Sequence, residues 1–164
     1  MPILPKVRDA RLITIRRGGS LTDEHHHLLA EWAAVCAEHV LHLFEAEVPG
    51  DLRPRESIEV GRAWARGEVP MKAAHDQAFH ANAAARGRPD PARFAALAAG
   101  QAVAVAHVAA HDLGAAAYAI RAVGASERLN ERDWQRDQLP TSMRELVLED
   151  QAARSSICWN VFDD

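Results

Sequence analysis

The apolar positions of this chain fall at helical spacing almost from end to end. A stripe of Leu28, Trp32, Val35, Cys36, Val40, Leu43 and Phe44 recurs every three or four residues and predicts an amphipathic helix to about Glu47. His39 falls on the same stripe, where a satisfied core histidine is the simplest reading. Ser20 or Thr22 suits the N-cap. Asp23 and Glu24 complement the positive end of the helix dipole, and Val48-Pro49-Gly50 stops the helix. A second helix is expected from about Pro54 to Gly67, carrying Ile58, Val60, Gly61 and Trp64. A third runs from about Pro70 to Arg86 and would bury Met71, Ala74, Ala78 and Phe79. The second and third read as one antiparallel hairpin.

The stretch from Pro91 to Gly124 has no proline after its first residue and is rich in alanine, the best helix former. Asp90 suits an N-cap, Pro91 a first helical residue and Gly124 a left-handed stop. One helix over this stretch would be about 50 Å long at 1.5 Å per residue, unless Gly100 or Gly114 bends it. It is apolar all round, which places it centrally with neighbours on several sides. Its few polar residues, Gln101, His107, His111, Asp112 and Tyr118, are natural members of any site. Beyond Gly124, Ser126 caps a short charged helix that ends before Pro140. Thr141 or Ser142 caps another, carrying Met143, Leu146 and Val147.

The two ends differ from this pattern. Arg11 to Arg17 (RLITIRR) is β-branched at Ile13, Thr14 and Ile15, and Ile157 to Phe162 (ICWNVF) alternates. A short two-stranded ribbon between them is expected. The chain therefore reads as all-α: one irregular bundle of about six helices around a long alanine-rich central helix. Residues 1–164 form a single domain, with 1–19 an extended basic arm and 155–164 a docked tail.

Composition fits one soluble domain. Of 164 residues, 48% are hydrophobic and 26% charged, and no apolar run approaches the span of a bilayer. A net charge of −4 argues against bulk nucleic-acid binding. The segment MPILPKVRDARL has no apolar core of a secretory signal, and Cys36 and Cys158 are isolated, so a cytoplasmic protein is expected. Charge is segregated. Lys6, Arg8, Arg11, Arg16 and Arg17 face Asp9 alone near the start, whereas from Asp133 onward seven acids face three arginines. Either the two ends attract each other, or one of them is a charged partner surface.

Recognisable catalytic motifs are missing. There is no phosphate-binding G-x-x-x-x-G-K-[ST], no G-x-G-x-x-G, no G-x-S-x-G, no C-x-x-C and no H-E-x-x-H. His107-x-x-x-His111 is the one suggestive spacing, because residues four apart share a helix face and two imidazoles there could hold zinc with a third ligand. His39, His42, His75 and His80 are the candidate further donors. The alternative is that these histidines bond helix neighbours. His25-His26-His27 point in different directions and read as solvated. Arg62 and Arg66 share a face of the second helix, with Arg53, Arg55, Glu56 and Glu59 nearby, and read as ion pairs or as a basic groove for an acidic partner loop. Trp32 is core by spacing, Trp134 among charged neighbours suits a half-exposed anchor, and Trp159 suits fixing the tail.

Several blocks together carry a family resemblance: ITIRRGGSLTDEHHHLLAEWAAVCAEHVLHLFE at Ile13 to Glu45, RPRESIEVGRAWARGE at Arg53 to Glu68, AAGQAVAVAHVAAHDLGAAAYAIRA at Ala98 to Ala122, ERDWQRDQLP at Glu131 to Pro140 and CWNVFD at Cys158 to Asp163. They resemble immunity proteins of bacterial polymorphic-toxin systems, in the all-helical immunity protein five-like group, some relatives of which carry an SbcC-type exonuclease-subunit name. The absence of ATPase motifs here argues against that name. The resemblance implies a helical, non-enzymatic binder that neutralises a cognate toxin, and an acidic surface would suit a basic nuclease. The expected partner face is Asp133, Trp134, Asp137, Glu145, Glu149 and Asp150, with Arg62 and Arg66 as further candidates. No cofactor is expected. The alternatives are a helical metal-binding protein or metal-dependent hydrolase using His107 and His111, and a helical scaffold without a site.

Overall fold

The computed structural model describes residues 3–164. Seven α-helices follow in order: α1 (Asp23–Glu47), α2 (Arg53–Ala65), α3 (Met71–Ala85), α4 (Ala92–Ala104), α5 (Asp112–Val123), α6 (Arg128–Asp137) and α7 (Thr141–Arg154). No strand forms among the described residues. The fold is the all-α bundle that the periodicity predicts. Thr22 caps α1 by accepting from the His25 backbone N–H, and the helix stops at Val48. Among the described residues, no helix is long and apolar enough to cross a membrane.

The central stretch departs from expectation. It is two helices, α4 and α5, joined by a turn through Val105–His107 and a 3₁₀ turn at Ala109–His111. A chain of this length packs to a radius of gyration of about 15 Å, so a straight helix of about 50 Å would protrude with apolar surface uncovered. Broken, α4 packs against α1, α2, α3 and α5 together. The break falls at neither glycine. Gly100 instead lets α4 and α3 approach, since a Cβ there would meet Asn82 Oδ1 at 2.4 Å, whereas one on Gly61 would make an ordinary contact with the Val103 Cα at 3.5 Å. Carbonyls freed by the break find distant donors. His26 Nε2 donates to the Val105 carbonyl at 2.6 Å, and Arg154 Nη1 donates to the Ala110 carbonyl at 2.9 Å. Such pairing is what makes a buried turn tolerable. His26 is accordingly buried, not solvated.

The remaining elements wrap this centre. α2 and α3 form the expected hairpin, with Ser57 Oγ donating to backbone carbonyls of both. The buried face of α3 is alanine alone, at 74, 78, 81, 84 and 85, so Met71 and Phe79 are left exposed. Cys36 and Cys158 are buried free thiols, and burial pushes both pKa values up.

The terminal ribbon does not form. Arg11–Arg17 curls into two 3₁₀ turns, closed where Gly19 packs so tightly that a Cβ would lie 2.0 Å from the Ile13 carbonyl oxygen. One bridge joins Thr14 to Leu21, leaving no edge to pair with. Residues 3–19 are therefore a pinned arm rather than an extended one, with Ile3 and Leu12 buried in the core. The tail docks by another route. Arg128, Arg132 and Arg136, four apart on one face of α6, donate to the carbonyls of Val161, Phe162 and Asp163. Trp159 packs on Tyr118 and under the Arg121 guanidinium. Among the described residues, the opposite charges of the two ends meet once, in the Arg11–Glu149 pair at 2.6 Å.

Candidate functional site

α6 presents three faces, and each has a different task. Arg128, Arg132 and Arg136 hold the tail. Glu131 and Gln135 are buried against the bundle, where the Gln135 side-chain amide donates to the Ala116 carbonyl and the Gln135 backbone carbonyl accepts from Trp32 Nε1. Asp133 and Asp137 are exposed, and Trp134 is half-buried between the faces.

Trp134 lies flat against His39 of α1, with centroids 3.5 Å apart and planes 12° apart. His39 Nδ1 donates to both carboxylate oxygens of Glu131, at 3.0 and 2.9 Å. The imidazole is therefore a surface group fixed on two sides, not the core histidine that its place on the apolar stripe suggests. Beside it lies a groove of about 380 Å³ lined by His39, Val123, Glu127, Asn130, Glu131 and Trp134. A half-exposed, immobilised tryptophan is the kind of side chain enriched at interface hot spots.

The other candidates do not line this groove. Glu145 and Glu149 are exposed on α7, with Glu149 engaged by Arg11. Asp150 does not belong to that face. It is buried and accepts two hydrogen bonds from Arg154, at 2.9 and 2.6 Å, so it is a core ion. Arg154 also reaches Asp112 at 3.3 Å. Arg62 is paired with Glu38 and lies 3.7 Å from Glu31, while Arg66 pairs with Glu68 on the surface. The second helix is thus a lattice of ion pairs rather than an open basic groove.

His107 and His111 do not converge. The helix they were expected to share ends before them, and each takes a separate partner. His107 stacks on His75 with centroids 4.4 Å apart, and its Nδ1 is buried without a hydrogen bond. His111 Nδ1 donates to Gln101 Oε1 at 2.7 Å. Burial holds the His111 pKa down to about 4, with nearby Arg8 adding to the effect. Burial similarly raises Asp112 to about 7, against the opposing pull of Arg154. Among the described residues, no three His, Cys, Asp or Glu side chains are grouped to hold a metal ion.

The family model described as Imm-5 like putative immunity protein matches residues 19–142, from just before α1 to the start of α7. No curated protein matches the chain, and no solved structure does. The matched segment contains the whole of the Trp134 groove.

Proposed function

The chain belongs to the Imm-5 like putative immunity protein family, and from that premise we propose that it binds and neutralises a cognate bacterial toxin of a polymorphic-toxin system by protein–protein contact. It acts in the cytoplasm, as a binder and not as an enzyme. The observation that carries the reading is the Trp134–His39 stack, held by Glu131 and flanked by exposed Asp133 and Asp137. A large aromatic that is already immobilised loses little entropy on binding. The carboxylates around it favour a basic partner, such as a nuclease whose substrate-binding surface is cationic. Occupying that surface would block the toxin. Glu145 is a further exposed carboxylate on α7, whereas Asp150 is buried against Arg154.

The test uses the cognate toxin. Co-expression should rescue growth, and calorimetry should give a one-to-one complex that weakens with salt. Charge reversal at Asp133 and Asp137 together with Trp134→Ala should abolish both rescue and binding while the protein stays folded. Undiminished affinity in that variant would overturn this face as the interface.

A further inference from the structure

A second concave site opens where the N-terminal arm crosses the turn between α4 and α5. It encloses about 420 Å³. Arg8, Arg16 and Arg17 come from the arm, His107 from the turn and Trp64 from α2. No aspartate or glutamate lines it. Arg16 pairs with Asp23 at 3.0 Å, but Arg8 and Arg17 make no ion pair among the described residues. In a chain of net charge −4 this is a local concentration of positive charge. Collecting guanidinium groups around one cavity is repulsive, and a bound anion relieves it.

The arginines bear on the same wall. His107 shares the lining with Arg8 and Arg17, and burial first, then His75 and the two guanidinium groups, lower its pKa. Leu12, Ile13 and Trp64 add apolar and aromatic surface. Compactness and charge together narrow the ligand. A volume in the range of small-molecule sites suits one compact molecule. A phosphate monoester brings nearly two charges and three acceptor oxygens to one point, enough to bridge neighbouring arginine forks, where a carboxylate brings one charge.

We propose that this cleft binds a small phosphorylated organic molecule of about mononucleotide size, its phosphate on Arg8 and Arg17 and its apolar or planar body against Trp64, Leu12 and Ile13. Arg16, already paired, closes the rim. This site is separate from the toxin-binding face, and its arginines lie outside the family-matched segment, which begins at residue 19.

Calorimetry on the untagged full chain tests it, with inorganic phosphate, a nucleoside monophosphate, a nucleoside diphosphate and citrate as probes. The expected result is saturable binding of the nucleotides, tighter than phosphate or citrate. Arg8→Ala/Arg17→Ala should weaken it at least about tenfold with an unchanged melting curve, because both residues are exposed. Arg86→Ala/Arg88→Ala removes two exposed arginines between α3 and α4 that also make no ion pair among the described residues, and should leave affinity unaltered. The proposal is overturned by no saturable binding up to about 1 mM, by equal losses in the two double variants, or by phosphate or citrate binding as tightly as the nucleotides.

Discussion

A Cβ on Gly114 would stand 2.2 Å from Gln101 Oε1, so the bare backbone of α5 is what lets Gln101 cross from α4 and accept the His111 Nδ1 proton. The sign of one substitution tests this. Alanine is the better helix former by about 1 kcal/mol, and in an open site Gly114→Ala would stabilise the protein. Here Gln101 must swing away and leave a largely buried imidazole N–H unpaired. We expect Gly114→Ala to lower stability by about 1–2 kcal/mol in urea unfolding. Gln101→Ala in the same chain should make the alanine at 114 favourable again. A stabilised single variant would show that the contact is unimportant.

Arg154 joins regions far apart in the chain, donating to the carbonyls of Ile3 and Ala110 and to the carboxylates of Asp112 and Asp150. Removing it strands two buried carboxylates and two carbonyls. Arg154→Met should therefore cost about 3–5 kcal/mol, the usual penalty for breaking a buried pair. Adding Asp112→Asn and Asp150→Asn should restore a large part, because the desolvated charges are then gone. A single variant within about 0.5 kcal/mol of the parent would mean that water reaches the site.

At the proposed interface, Trp134→Ala alone should weaken toxin binding by at least about 2 kcal/mol, as an anchor residue does. Asp133→Lys should act mainly on the association rate and lose its effect at high salt. Glu149→Lys should disturb binding less, since Glu149 lies on α7, whereas Asp133, itself paired with Arg132 at 2.9 Å, adjoins Trp134 on α6. Surface plasmon resonance at two ionic strengths separates these outcomes.

What could be read from the sequence depended on how local the cause was. The end of α1 was legible because Val48-Pro49-Gly50 breaks any helix. The break after Ala104 was not, because Val105 to Ala110 contains no breaker. Its stability comes from His26, 79 positions from Val105, and Arg154, 44 positions from Ala110. Arg128, Arg132 and Arg136 stand four apart, but their acceptors are tail carbonyls, which no side-chain pattern reveals. Trp134 was recognisable as a half-exposed anchor from its charged neighbours. Asp150 looked equally acidic and exposed, yet is buried by an arginine one helical turn away. Excess positive charge near the start was plain, and only the curl of the arm gathers Arg8, Arg16 and Arg17 around one cavity.

Adjacent residues 111 and 112 should oppose each other in acid. The His111 pKa falls from an ordinary 6.5 to about 4 on folding, so between those values the unfolded chain binds more protons and stability drops as pH falls. His26, lowered by burial, pulls the same way. Asp112 rises from an ordinary 3.8 to about 7, so over nearly the same window the folded chain binds more protons and stability climbs as pH falls. A tenfold change in proton affinity on folding corresponds to about 1.4 kcal/mol, large enough to resolve. Urea midpoints measured from pH 7 down to pH 4 should show the parent chain with a shallow dependence. Asp112→Asn removes the compensating group and should steepen the acid loss, while keeping an oxygen to accept from the Leu113 N–H, now at 2.7 Å. His111→Gln should flatten or reverse it. The two variants should diverge by more than about 1 kcal/mol across the window, and parallel curves would show that folding changes the proton affinity of neither group.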